Sequence, residues 1–141
     1  ARENLPDAAT PEAHRLVRAD ARRFLERAVK REERYDIIVV DPPSYATTKL
    51  SGKSKTFRVV RDLRPLASLA MRCLAEGGCL LASTNHRGIV RAKLRRDLMD
   101  AAGDAGVEFA KLAFVPDPED YPPAPGQLCH LKSLWLEGKR G

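Results

Sequence analysis

An aspartate followed by two prolines, a serine and a tyrosine, Asp41-Pro42-Pro43-Ser44-Tyr45, comes directly after the apolar run Ile37-Ile38-Val39-Val40. Each proline locks its own φ and removes a backbone N–H. Carbonyl oxygens at such a turn have no donor from their own segment, so they can face a ligand as rigid hydrogen-bond acceptors. Taken alone, the same tripeptide would also serve simply to end a strand. The other residue types with chemistry to offer are fewer. Cys73, Cys79 and Cys129 are odd in number and lack the paired spacing of a zinc site, and they are expected to be reduced. His86 and His130 have no third ligand at a recognisable spacing, so no metal is expected.

These residues need elements to hold them. Ala1-Arg-Glu-Asn-Leu5 resembles the last turn of a helix, stopped by Pro6. His14-Arg-Leu-Val-Arg-Ala19 reads as a short strand ending at Asp20. Residues 21–34 read as a helix with Phe24, Leu25, Ala28 and Val29 on one face. Residues 35–40 form the clearest strand, and the β-branched run predicts burial on both faces, as in a central parallel strand. A polar, basic loop is expected over 44–56. A helix over 61–74 ends at Gly77-Gly78, a buried strand follows at 79–83, and a third helix covers 91–105, closed by Gly106. Strands at 107–115 and 131–137, joined by a proline-rich connection over 116–126, can pair antiparallel. Alternating strands and helices predict one domain over 1–141, an α/β fold with an open, mostly parallel sheet and ligands at the carboxyl ends of its strands.

The chain has 141 residues, 43% of them hydrophobic, within the size range of one globular domain. No stretch approaches the ~18 uninterrupted apolar residues of a membrane helix, and the expectation is a soluble, cytoplasmic protein. Lys and Arg outnumber Asp and Glu by 25 to 19, a net charge of +6. The excess gathers around the turn: Lys49, Lys53, Lys55, Arg58, Arg61 and Arg64 face one acid, Asp62. A local excess of this kind suits a polyanion, or else a solvated surface.

With the strand before it, Asp41-Pro42-Pro43-Ser44-Tyr45 resembles the fourth motif of class I S-adenosylmethionine-dependent methyltransferases, in the form similar to bacterial large-subunit ribosomal RNA methyltransferases. The resemblance continues through Lys49, Phe57-Arg-Val-Val-Arg-Asp62, Gly77-Gly78, Ala82-Ser-Thr-Asn-His-Arg-Gly88 and His130-Leu-Lys-Ser-Leu-Trp135. It implies a Rossmann-like methyltransferase sheet with an antiparallel C-terminal strand pair, S-adenosyl-L-methionine as cofactor, and RNA as partner. It also implies that Asp41 and the Pro42 carbonyl orient the nucleophile while Tyr45 stacks on the target base. Asp20, matching the third motif, would accept from the adenine amino group, and the Ala21 backbone would face the adenine ring; a helix N-cap is an equal role for Asp20. Asn85 and Arg87 resemble residues that meet base edges or phosphate, and Asn85 is equally a turn former. Lys49, Lys53, Lys55, Arg58 and Arg61, around Tyr45, are the phosphate contacts expected. Arg91, Lys93, Arg95 and Arg96 read as a solvated helix face.

The strand with a Gly-rich turn and the strand bearing the ribose-binding acid, which such an enzyme carries upstream, have no counterpart here. The chain is therefore expected to be the C-terminal part of the fold, truncated on its N-terminal side, and to bind cofactor weakly or not at all by itself. Methylation at cytosine C5 needs a cysteine thiolate, which the resemblance places after the strand 79–83, where the sequence has Ser83-Thr84-Asn85-His86. A base nitrogen, whose lone pair needs only alignment, is favoured as acceptor. Two alternatives stay open: a noncatalytic RNA-binding or interaction module derived from such an enzyme, and a methyltransferase with a non-RNA acceptor. The oligomeric state is left open.

Overall fold

The strand that ends at Asp41 forms as its β-branched run requires, and its neighbours follow from it. The structure, a computed structural model, describes residues 16–50, 53–116 and 130–141; for 48–50 and 53–55 it describes the backbone alone. The elements in order are α1 (Ala21–Lys30), β1 (Tyr35–Val40), β2 (Tyr45–Leu50), β3 (Lys53–Arg58), α2 (Val59–Arg72), β4 (Leu74–Thr84), α3 (Arg91–Ala105), β5 (Glu108–Phe114) and β6 (Lys132–Arg140). The expected helix end at Ala1-Leu5, the first two residues of the strand expected from His14, most of the proline-rich connection and Cys129 lie outside the described residues.

The main sheet has the order β1-β4-β6-β5. β1 and β4 pair in parallel, and β6 runs antiparallel to both β4 and β5. Three of these four strands therefore point the same way, with β5 and β6 as the antiparallel pair at the C-terminal end of the chain. This is the mixed α/β arrangement expected. Between β1 and β4 the register jumps from Tyr35↔Leu74 to Ile37↔Cys79, a bulge that takes up the residues around Gly77-Gly78. Gly77 has φ +74, and a Cβ on Gly78 would stand 2.9 Å from the Ala75 carbonyl oxygen and 3.1 Å from that of Asp36. Both positions thus need glycine.

α2 packs against α1 on one side and α3 on the other, and reaches β4 and β1, while α3 reaches β6. The rows beneath them, Ile38-Leu80-Leu136 and Val40-Ala82-Leu134, close onto Leu63, Ala67, Ala70, Leu94 and Leu98 to make the core. The burial of Ile37 and Val39 expected from the sequence does not occur: each is 61% exposed. Their side chains point to the opposite face of the sheet, and among the described residues no helix packs there. Cys73 is buried and its thiol is pushed up by that burial.

Several boundaries differ from expectation: α2 ends at Arg72, so that Gly77-Gly78 fall within β4 rather than closing the helix, and β6 runs on to Arg140. Residues 16–19 form no strand, and none of the described strands pairs with them. α1 ends at Lys30 rather than 34, and the turn to β1 places Glu32 in the left-handed region at φ 55. α2 starts at Val59 rather than 61, since the Asp62 carboxylate reaches back to accept from the Arg58 N–H at 2.8 Å and so fixes the helix start.

The largest departure is at 44–56. The expected loop is an antiparallel hairpin of β2 and β3, in register from Tyr45↔Arg58 to Leu50↔Lys53. Threonines and lysines leave it with little apolar surface beyond Ala46 and Phe57, but Tyr45, Thr47, Thr48 and Thr56 favour extended backbone, and pairing satisfies the main-chain polar groups.

Candidate active site

β1 and β4 are neighbours in parallel register, Val40↔Ala82, so the segments leaving them emerge at the same edge of the sheet. At that edge a cavity of about 730 Å³ opens beside the end of β1. Asp20, Ala21, Asp41 and Pro42 all line it, so four of the sequence-derived site residues come together around one space. The rest of the wall is largely apolar, with Phe24, Leu25, Ile38, Val40 and Leu66 below and Ala46 and Phe57 from the hairpin. Such a space suits a flat apolar ligand with a hydrogen-bonding rim.

Asp20 caps α1: its side chain accepts from the Arg23 N–H at 3.0 Å. The capping role weighed for it is therefore real, and its place in the cavity wall leaves a second role to the same carboxylate. Ala21 is the first residue of α1, and helix geometry leaves its N–H without an intrahelical acceptor. An acceptor group on a ligand here would meet an N–H at the positive end of a helix.

Tyr45 opens β2 and stands 60% exposed. It does not line the cavity. Ala46 and Phe57, a cross-strand pair, turn to the cavity, while Tyr45 and its partner Arg58 belong to the hairpin's other face. The Thr47 hydroxyl donates to the Tyr45 oxygen at 3.3 Å. Hydrogen bonds with Thr47 and then Thr56, with the charge of Arg58, hold the tyrosine below its usual range.

Arg58 and Arg87 are exposed and reach solvent near this edge. Arg61 is exposed as well, and it is also held within the chain. It donates twice to Asp62, at 2.8 Å each, and once to the Thr56 carbonyl at 2.9 Å. Asp62 also holds the Arg58 N–H, so Arg61 and Asp62 pin the hairpin root to α2. Side chains of Lys49, Lys53 and Lys55 lie outside what is described, though their backbones run along the hairpin. Asn85 sits in the loop after β4, where its amide oxygen accepts from the Ser44 hydroxyl at 3.2 Å.

Sequence reasoning did not assign roles to Ser44, Phe57 or Asp62. Asp62 carried a signal, an acid in the first turn of a helix among basic residues, but Ser44 and Phe57 acquire theirs only through the hairpin. Neither Cys73 nor Cys79 lines the cavity. Among the described residues no group of three His, Cys, Asp or Glu side chains could hold a metal, and no helix is long and apolar enough to cross a membrane.

Known proteins resemble this chain in sequence and in fold. Over 109 residues, 77% of the chain, it is 34% identical to the ribosomal RNA large subunit methyltransferase K/L of Methylococcus capsulatus. Over 79 residues, 56% of the chain, it is 38% identical to the ribosomal RNA large subunit methyltransferase K of Neisseria meningitidis serogroup B. The chain spans 14% and 22% of the lengths of these two relatives. In the crystal structure of SMU.776, described as a methyltransferase complexed with SAH, the match covers 84% of this chain and 30% of that one, with a TM-score of 0.67 and 24% identity. The fold is thus that of methyltransferases. No family model matches the chain.

Proposed function

We propose that this chain is the C-terminal portion of a class I methyltransferase domain that moves a methyl group from S-adenosylmethionine to a base of large-subunit ribosomal RNA, working in the cytoplasm. The observation that carries the reading is the convergence of Asp20, Ala21, Asp41 and Pro42 on one cavity at the carboxyl end of β1. The residues present fit the cofactor's adenine end. Asp20 offers an acceptor to an amino group, the Ala21 N–H a donor to a ring nitrogen, and Phe24 and Leu25 an apolar wall. When bound, the cofactor supplies an electrophilic methyl on a sulfonium. Asp41 and the Pro42 carbonyl then orient the nucleophile and accept its hydrogen bonds, from a turn that two prolines keep stiff. Tyr45 offers a face on which a target base stacks, and Arg58 and Arg87, with the hairpin lysines, hold the phosphates.

A nitrogen acceptor is favoured over cytosine C5. The C5 route needs a thiolate beside the base, and the end of β4 with the loop after it has Ser83-Thr84-Asn85-His86, while Cys73 is buried with its thiol pushed up.

The test is calorimetric titration of S-adenosylmethionine and S-adenosylhomocysteine into the full-length protein, beside the 141-residue chain, followed by methyl transfer to a large-subunit ribosomal RNA transcript. Binding and transfer by the full-length protein are expected. Absence of binding to either form would favour a noncatalytic RNA-binding module instead.

Asp20 offers a separate check because its two roles can be split. Asp20→Ala should lower stability by about 1 kcal/mol through the lost cap, whereas Asp20→Ser keeps most of it. Both should weaken the cofactor alike in the calorimeter. If Asp20→Ser binds cofactor as the parent does, the carboxylate serves α1 alone.

A further inference from the structure

We propose that Ser44 and Asn85 are a pair of positioning residues, whose mutual hydrogen bond ties the Asp-Pro-Pro turn after β1 to the loop after β4 and so sets where Asp41 and Pro42 stand. The inference rests on the methyl-transfer reading above and adds to it a device for holding the turn.

The prolines stiffen the turn internally but do not anchor it to anything. Pro42 and Pro43 have no N–H with which to bond a neighbour. The first residue beyond them able to do so is Ser44, and it is held from two directions. Its carbonyl accepts from the Val59 N–H at the start of α2, at 3.1 Å, and its hydroxyl donates to the Asn85 amide oxygen, at 3.2 Å. Ser44 is four residues past Val40 and Asn85 three past Ala82, the pair that ends the β1–β4 register. Similar run-out from adjacent parallel strands, four residues against three, is what brings them together.

A hydrogen bond positions a group only if its other end is fixed. The loop carrying Asn85 is fixed at several points. The Thr84 hydroxyl oxygen accepts from the His86 N–H at 3.2 Å, and His86 Nδ1 accepts from the Gly88 N–H at 3.0 Å. The His86 carbonyl accepts both the Ile89 N–H, at 3.1 Å, and the Lys132 ammonium, at 2.9 Å. Ile89 is fully buried, and Lys132 is buried on β6 at 8% exposure. Asn85 is thus mounted on the sheet itself, and through Ser44 the turn takes its reference from β4 and β6.

The test is a double-mutant cycle in the full-length protein, with single-turnover transfer of labelled methyl to a large-subunit ribosomal RNA transcript at saturating cofactor. Ser44→Ala and Asn85→Ala are each expected to slow transfer about fivefold to tenfold, and the double variant no further than either, as for two halves of one bond. Cofactor affinity should stay unchanged. Asn85→Asp, which keeps the accepting oxygen, should recover the transfer rate even where its charge raises the RNA KM. Additive losses, or an effect confined to the RNA KM, would overturn the pairing, since Asn85 would then act on RNA directly. If the parent protein binds cofactor but transfers no methyl, it is the methyl-transfer reading that fails. The pair is then judged by hydrogen exchange at the Val59 amide: faster exchange in both single variants upholds it, and unchanged exchange overturns it.

Discussion

Asp41→Ala is expected to lower methyl transfer by about two to three orders of magnitude while leaving the protein folded, the cost typical of removing one preorganised group aimed at the reacting atoms. The two halves of that expectation have separate causes. The carboxylate lies in the wall of the cavity, directly before Pro42, where it can meet the nucleophile. It is also exposed, and substitutions at such surface positions usually change stability by no more than about 0.5 kcal/mol. Single-turnover transfer and a thermal melt on the same preparation separate the two. Retained transfer would remove Asp41 from the chemistry, whereas a large fall in melting temperature would make it structural. Asp41→Asn refines the result, because it keeps an accepting oxygen and loses the charge.

Tyr45→Ala should weaken productive RNA binding roughly fivefold to a hundredfold, the range set by stacking energies of about 1–3 kcal/mol per base. The ring is 60% exposed beside the cavity, on the first residue of a hairpin whose root is pinned by Arg61 and Asp62. Tyr45→Phe keeps the ring and should stay close to the parent at neutral pH. The two diverge in alkali. Hydrogen bonds from Thr47 and Thr56 and the charge of Arg58 favour the phenolate, so ionisation of Tyr45 begins at a lower pH than for an ordinary tyrosine. A phenolate repels phosphate, so RNA affinity of the parent should fall from that lower pH, and Tyr45→Phe should lose this limb. Equal alkaline profiles for the two proteins would show that the tyrosine does not face the RNA.

The parts of this molecule that local chemistry dictates were legible in the sequence. The β-branched run before Asp41 is β1, and α3 covers 91–105 as read, closed by Gly106 at φ 68. The union of Asp20, Ala21, Asp41 and Pro42 was legible only through the family resemblance of their motifs. What escaped depends on contacts across the chain. Ile37 and Val39 are as apolar as any core residue, but hydrophobicity states a preference for cover without saying whether cover exists. The hairpin escaped because its inward side carries only Ala46 and Phe57, too few apolar residues to make the alternation by which strands are recognised. The Ser44–Asn85 bond spans 41 positions, and no pattern of neighbours announces it.

The uncovered pair Ile37 and Val39 has a thermal corollary. Removing apolar surface of this kind from water carries a negative heat-capacity change and is driven near room temperature by solvent entropy. Any segment that comes to lie across that face will therefore grip it less firmly in the cold.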